Sequence, residues 1–454
     1  MDDLRDYSRI HIVGVGGAGM SALAKILSGL GHRVSGSDLR LGPATKSLGD
    51  LGLDVWSGHR PAAMAGIDLV VASSAVPDRD PELAAAQAQG IPTWRRPRLL
   101  SALSATMPTI GVTGTHGKTS STAMMITALR AAGTEPTFVV GGDLVEFRTN
   151  AAIGRDDLFV LEVDEAFGTF EHIHLRGLVV TNVEAEHLDH FGTLEDLEDA
   201  FTRVVRGVDG PVVVCADDPG SAKLAARTGV PTFGLGAGSD WRISDVVERV
   251  GSSEFTLSNG TMSVLVRVPR TGLHMVRNAG GVLALLGECG YDLDRCAAGI
   301  AGFAGVKRRF EHRGTIDGIS VIDDYAHHPT EVAATIREAV ARSPRRVIAI
   351  FQPHLYTRTQ RFAGEFGGAL ALADSVVVTN VYGSREEPIP GITGALVADA
   401  ATRAGAADVH YVPHLGDVPD VIASLATPGD LILTLGAGDV TILGPEILAA
   451  VESR

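Results

Sequence analysis

Cysteine is scarce in this chain: Cys215, Cys289 and Cys296 are the three in 454 residues. Their odd number, with no C-x-x-C or His/Cys spacing, argues against a disulfide framework or a zinc ribbon and leaves buried thiols acting as small hydrophobes. Lysine is also rare, with five (Lys25, Lys46, Lys118, Lys223, Lys307) among 39 basic residues, so each is easier to assign. No apolar run approaches the ~18 residues of a spanning helix, and the opening MDDLRDY is acidic. Neither a membrane helix nor a signal peptide is expected, which points to a soluble, cytoplasmic protein. Positive charge is in deficit: 39 basic against 54 acidic residues give −15. Such a balance disfavours a nucleic-acid or anionic-membrane surface, but leaves room for small anions in a local positive pocket.

Glycine, in contrast, is abundant. Its 54 residues are about 12% of the chain against a usual ~7%. Without a G-X-Y period the excess belongs in turns and in loops that approach a ligand closely. The length suggests two to three domains of ~150 residues. Short apolar runs alternate with amphipathic ones, the pattern of α/β architecture with mostly parallel strands. Strands are expected at Ile10–Val15, Arg33–Gly36 and Asp68–Ala72, with helices at Gly19–Leu30 and Pro81–Gly90. Pro92–Arg98, with two prolines and three arginines, reads as a linker out of this unit. A second unit runs through strands at Thr109–Thr113, Leu158–Val163, Gly177–Thr181 and Pro211–Cys215, followed by a strand-like region Trp241–Val268 and a buried helix at Asn278–Gly287. A third has strands at Ile319–Asp323, Arg346–Phe351, Ser375–Thr379 and Asp430–Leu435, with helices at Thr330–Ala341 and Phe362–Leu372. Three α/β domains are therefore expected: 1–106, Rossmann-like; 107–312, of P-loop ATPase type; and 313–454, again Rossmann-like.

Two glycine loops carry the chemistry. The segment Gly111-Val-Thr-Gly114-Thr115-His116-Gly117-Lys118-Thr119-Ser120 lies between an apolar strand and a helix. The strict phosphate-loop spacing would place glycine at Val112, so this is a variant of the pattern. The physics is unchanged: backbone N–H groups converge on phosphate oxygens, Lys118 reaches the β/γ-phosphates, and Thr119 can ligate Mg²⁺. The other loop, Gly14-Val-Gly16-Gly17-Ala-Gly19-Met20, contains G-x-G-x-x-G after a strand, and Asp38 stands where a ribose-binding acid would lie.

Acidic and histidine groups gather at other strand ends. Glu162-Val-Asp164-Glu165 and the run Asn182 to His190, with His187 in it, offer hard metal ligands. Asp323-Asp324-Tyr325-Ala-His327-His328 and Phe351-Gln-Pro-His354-Leu-Tyr356-Thr-Arg358 put polar groups at the carboxyl edge of one sheet, as does Leu435-Gly-Ala-Gly438-Asp439. Arg308 and Arg309, between the second and third units, suit phosphate contact.

In this order the motifs GVGGAGM, SSAVP, GTHGKT, EVDE, TNVEAEHLDH, CADDP, KRRFE, DDYAHHPTE, FQPHLYTRT and GAGD resemble the Mur ligases, ATP-dependent amide ligases of peptidoglycan precursor synthesis. The resemblance implies a UDP-sugar-binding domain, an ATPase domain and an amino-acid-binding domain. It assigns Gly16, Gly17, Gly19, Met20, Asp38, His59 and Ser73 to the UDP-sugar. It assigns Gly114, Thr115, His116, Gly117, Lys118, Thr119, Ser120, Asn278, Arg309 and Asp324 to ATP. Thr119, Glu162 and His187 would hold Mg²⁺ or Mn²⁺, and Tyr325, His354 and Arg358 the amino acid. Lys118, His187, Arg309 and Asp324 would form the catalytic set. The implied substrates are UDP-N-acetylmuramate, ATP and L-alanine, without nucleic acid or membrane insertion, in a monomer or homodimer. The lactyl carboxylate would attack the γ-phosphate, and an amino group the resulting acyl phosphate; His187 and His354 are candidates to take the amine's proton.

The chain departs from the family pattern in places. Ala166 and Phe167 stand where EADESD has Ser and Asp, Leu355 where FQPHRYTR has its second basic residue, Met275 where Asn is frequent, and Glu186 where Asp is. Three alternatives stay open on the residues: a ligase attaching another amino acid or a peptide, a non-catalytic nucleotide-binding protein, and an NAD-dependent dehydrogenase using the first glycine loop.

Overall fold

Runs such as Leu69–Ala72 and Val212–Cys215 are apolar without alternation, and in the computed structural model each is a strand buried at every position. Strands covered on both faces read this way because a parallel sheet carries helices on each side. The structure describes residues 3–342, 345–384 and 386–454, and the side chains of Phe167 and Asp189 lie outside that description.

The chain divides into two compact units. The first comprises Met1–Val247, Glu254–Pro269 and Met275–Ala304; the second comprises Glu248–Ser253, Arg270–His274 and Gly305–Arg454. The first unit opens with a five-stranded parallel sheet ordered Asp54–Ser57, Arg33–Asp38, Arg9–Val13, Leu69–Ala72, Thr93–Arg95. Strand order reverses on either side of Arg9–Val13, which opens a crevice at its carboxyl end, where open α/β sheets bind ligands. Pro92–Arg98 is not a linker: Thr93–Arg95 is the edge strand of this sheet, and Arg96 starts the helix Arg96–Thr106. Pro97 fits there because the first helical turn needs no N–H from it.

In the ten-stranded sheet Thr109–Thr113 lies between Gly177–Val180 and Phe159–Glu162 and is parallel to both. Beyond Phe159–Glu162 lie Thr137–Leu144 and its antiparallel partner Thr149–Ala152; the opposite wing ends in Trp241–Arg249, Ser252–Ser258 and Ser263–Val268. One apolar cluster runs from Ile10 and Leu23 to Phe159 and Phe201, joining the two sheets. Lys25 Nζ donates to Thr149 Oγ1 and Asn150 Oδ1, both at 3.1 Å, and Asn150 Nδ2 donates to the Ala18 carbonyl at 3.0 Å. The helix Ala18–Gly29 that leaves the first glycine loop is thereby fastened to the central sheet.

The second unit holds a six-stranded sheet ordered Glu311–Ile316, Ile319–Asp324, Asp430–Leu435, Arg346–Phe351, Ser375–Val378, Val409–Tyr411, parallel except for the first pair. Among the described residues no helix is long and apolar enough to cross a membrane.

Candidate active site

Strand Thr109–Thr113 is buried throughout and leads through Gly114, at φ +127°, and Gly117, at φ +80°, into helix Lys118–Ala131. A Cβ on Gly114 would collide with Thr181 Oγ1 and stand 2.8 Å from the Asn182 carbonyl; one on Gly117 would stand 2.6 Å from Asn278 Oδ1. Glycine is needed at both for sign of φ and for space. The contact at Gly117 also brings Asn278 directly against the loop. His116 N donates to Asn182 Oδ1 at 2.7 Å, and Thr115 Oγ1 accepts from Glu184 N at 2.8 Å. These groups of Thr115 and His116 therefore shape the loop. Ser120 lies half-buried in the first turn of the helix.

Lys118 Nζ donates to Glu165 Oε2 at 2.8 Å and to the Gly114 carbonyl at 2.7 Å, and lies 3.7 Å from Asp164 Oδ1. Thr119 Oγ1 donates to Glu162 Oε1 at 2.9 Å, and Glu162 Oε2 accepts from Gly141 N at 2.5 Å. Burial raises the Glu165 carboxyl to about 7, with Lys118 opposing and Asp164 adding to the rise. For Lys118 burial works against the charge, but Glu165 and Asp164 outweigh it and hold the ammonium above its ordinary value. His187, itself at φ +54°, groups with Asp164 and Glu165, their ligand atoms lying within 4.8 Å of one another. Thr119 and Glu162 thus come together as expected, whereas His187 joins a neighbouring acidic pair. Glu165 as the lysine's counter-ion was in the EVDE motif but without an assigned role.

The first glycine loop has a different character. Gly16 N donates to Asp38 Oδ2 at 2.9 Å, and the other Asp38 oxygen accepts from Arg40 N at 3.1 Å. Gly17, Asp38, His59 and Ser73 line a cavity of about 500 Å³. Gly19 lies in the first turn of the following helix, under the Arg96 guanidinium. Met20 follows in the same turn; its side chain is 3% exposed and belongs to the apolar core, which leaves its backbone facing the loop's end of the helix. Beneath the cavity Glu82, with no exposed surface, accepts from Ser37 Oγ, Trp56 Nε1 (3.0 Å) and Arg60 N (2.8 Å) and sits 3.5 Å from His11 Nε2. Asp80 pairs with His59 Nδ1 at 3.3 Å. The network fixes Ser37 and the turn carrying His59.

In the second unit, register aligns Asp324 and Phe351 with Leu435, so the three motifs leave one sheet edge together. Asp323 is structural, accepting from Thr434 and Thr441, each at 2.7 Å. Asp324 accepts from Phe310 N and Ala326 N at 2.7 Å; burial raises it to about 6 against the pull of Arg309. Arg309 lies over the Tyr325 ring at 5.2 Å. Tyr325 packs on His327, His327 on His354, and His354 shares a 3.2 Å contact with Arg358 Nη1. Tyr325, His354 and Arg358 therefore do come together, with His327 between them. Burial lowers His327 to about 3, with Glu331 opposing and Arg358 adding, so it is neutral at pH 7. Leu355 occupies φ +69°, a strained conformation for a branched side chain.

Residues 9–107 match the Mur ligase family, catalytic domain; 112–286 the Mur ligase middle domain; and 308–438 the Mur ligase, glutamate ligase domain. The UDP-N-acetylmuramate–L-alanine ligase of Mycolicibacterium vanbaalenii is 44% identical, covering 99% of this chain and 97% of its own. Among solved structures, the UDP-N-acetylmuramate–alanine ligase of Thermotoga maritima aligns with a TM-score of 0.84 at 30% identity, over 98% of this chain and 99% of that one. A murein peptide ligase from Psychrobacter arcticus aligns at 0.74 and 26% identity over the same shares.

Proposed function

The chain belongs to the Mur ligase family, and on that premise we propose that it joins L-alanine to the lactyl carboxylate of UDP-N-acetylmuramate, with ATP cleaved to ADP and phosphate, in peptidoglycan precursor synthesis. The observation that carries this reading is the 44% identity, over 99% of the chain, to an enzyme named for that reaction.

The residues present fit the implied ligands. Gly114 and Gly117 leave a cradle that a Cβ would fill, and Thr119 with Glu162 is the kind of hard-oxygen pair that Mg²⁺ or Mn²⁺ takes. When bound, ATP and its metal supply the phosphoryl group and neutralise its charge. Lys118 turns from Glu165 to the β- and γ-phosphate oxygens, while N–H groups at the start of helix Lys118–Ala131 hold the rest. The cavity at Gly17, Asp38, His59 and Ser73 takes the UDP end of the sugar nucleotide. In the second unit Tyr325, His354 and Arg358 hold the amino acid, Arg358 meeting its carboxylate. The carboxylate then becomes an acyl phosphate, and the neutral amine displaces phosphate through a tetrahedral intermediate.

The test is phosphate release with UDP-N-acetylmuramate and ATP across L-alanine, glycine, L-serine and a peptide. L-Alanine-dependent release is expected. Release with the peptide alone would replace the proposed substrate, an outcome that Leu355 in place of a basic residue makes worth measuring. No release with any amine would remove the ligase reading.

A further inference from the structure

We propose that Arg96 is a substrate-positioning residue that holds the lactyl carboxylate of the sugar nucleotide between the first glycine loop and the acidic strand end at 162–165. This rests on the ligase reading above.

The three arginines of 92–98 have distinct surroundings. Arg95 donates to the Ser73 carbonyl at 3.1 Å and the Val76 carbonyl at 2.7 Å and pairs with Asp78, tying down the loop after strand Leu69–Ala72. Arg98 stacks on Trp94, 4.7 Å from the ring centre. Arg96 does neither. Arg95 pairs in register with Ala72, and Ala72 with Val13, so the chain reaches Arg96 at the carboxyl edge where Gly14 and Ser73 also lie. Its guanidinium covers Gly19: a Cβ there would meet Cζ at 3.2 Å, Nη2 at 3.3 Å and Nε at 3.4 Å. Arg96 Nε is buried without a hydrogen-bond partner among the described residues. The positive charge of Arg96 is among the charges that favour the ionised Asp164 carboxylate.

The reaction explains why a cation is needed there. A carboxylate must approach the γ-phosphate, another anion, beside Glu162, Asp164 and Glu165, and this juxtaposition is repulsive. Lys118 is committed to the phosphate loop. A planar fork that lies over Gly19 can receive the carboxylate in two parallel hydrogen bonds as the sugar nucleotide settles on the glycine loop. A buried Nε without a partner is otherwise costly, and a ligand that supplies one removes the cost.

Calorimetric binding of UDP-N-acetylmuramate and of UDP-N-acetylglucosamine, which lacks the lactyl group, separates the possibilities. Arg96→Ala is expected to weaken UDP-N-acetylmuramate by about ten- to a hundredfold and leave UDP-N-acetylglucosamine unchanged. Arg96→Lys should recover part of the loss, because the charge survives without the fork. Equal weakening of both ligands would move Arg96 to the diphosphate and overturn the proposal, as would unchanged binding of both. Should Arg96→Ala not fold, Arg96→Gln is read by the same criteria. Wild-type protein that binds neither sugar nucleotide would instead remove the ligase reading on which the proposal stands.

Discussion

Two glycine-rich turns, Gly14 to Gly19 and Gly111 to Gly117, each leave a buried central strand and enter a helix, yet they manage charge in opposite ways. The second carries its own cation and meets its own carboxylates, with Lys118 on Glu165 and Thr119 on Glu162. The first contains no charged residue, and the guanidinium beside it, Arg96, comes from a separate strand–helix junction. The contrast extends to two buried glutamates. Burial pushes both upward, but at Glu82 hydrogen bonds from His11, Ser37 and Arg60 N outweigh it and hold the carboxyl at about 2. Glu165 has Lys118 for it and Asp164 against it, and rises to about 7. A carboxylate surrounded by donors is a fixed structural anion, whereas one that shares a single lysine with a neighbouring acid can release it when phosphates arrive.

The strongest challenge to this contrast is Lys118→Ala. Phosphate release should fall by at least about a thousandfold, since the charge at the transferring group is lost. Turnover within tenfold of the wild type would mean that the second loop does not depend on its internal cation. Glu82→Gln tests the first region. It should lower folding stability by about 2–3 kcal/mol at pH 7, because a neutral amide replaces an anion that several donors surround. The folded carboxyl lies below its ordinary value of 4.5, so its contribution is complete above pH 4.5 and disappears as pH falls through about 2. Denaturant midpoints of variant and wild type should therefore converge over that interval. A gap that stays constant from pH 7 to pH 3 would show that Glu82 acts through packing alone.

Much of the fold was legible because its signals are local. Thr109–Thr113, Arg346–Phe351 and Asp430–Leu435 coincide with the expected strands at both ends, each a short, mainly apolar run. Pro92–Arg98 failed because a three-residue edge strand is too short to show a period, and proline and arginine resemble linker composition. The glycine loops were visible as motifs, but the partners that give them different electrostatics were not. Glu165 reaches Lys118 across 47 residues of chain, and no spacing rule links them. Met20 belonged to the quoted motif, yet its apolar side chain is explained by the core it fills.

Glycine-to-alanine changes give the finest separation of the two loops. Gly117 has φ +80° with Asn278 Oδ1 where a Cβ would go, so Gly117→Ala should cost about 1–2 kcal/mol from the backbone alone and raise the KM for ATP. Gly17 has an ordinary φ of −68°, and a Cβ there meets nothing within 4 Å. Gly17→Ala should therefore leave stability within about 0.5 kcal/mol of the wild type. The methyl group would nevertheless enter the cavity that Gly17 lines, and the KM for UDP-N-acetylmuramate should rise by about tenfold while that for ATP stays constant. Loss of stability with an unchanged KM at Gly17 would mean that this glycine serves helix packing, and the first loop would lose its claim to the sugar nucleotide.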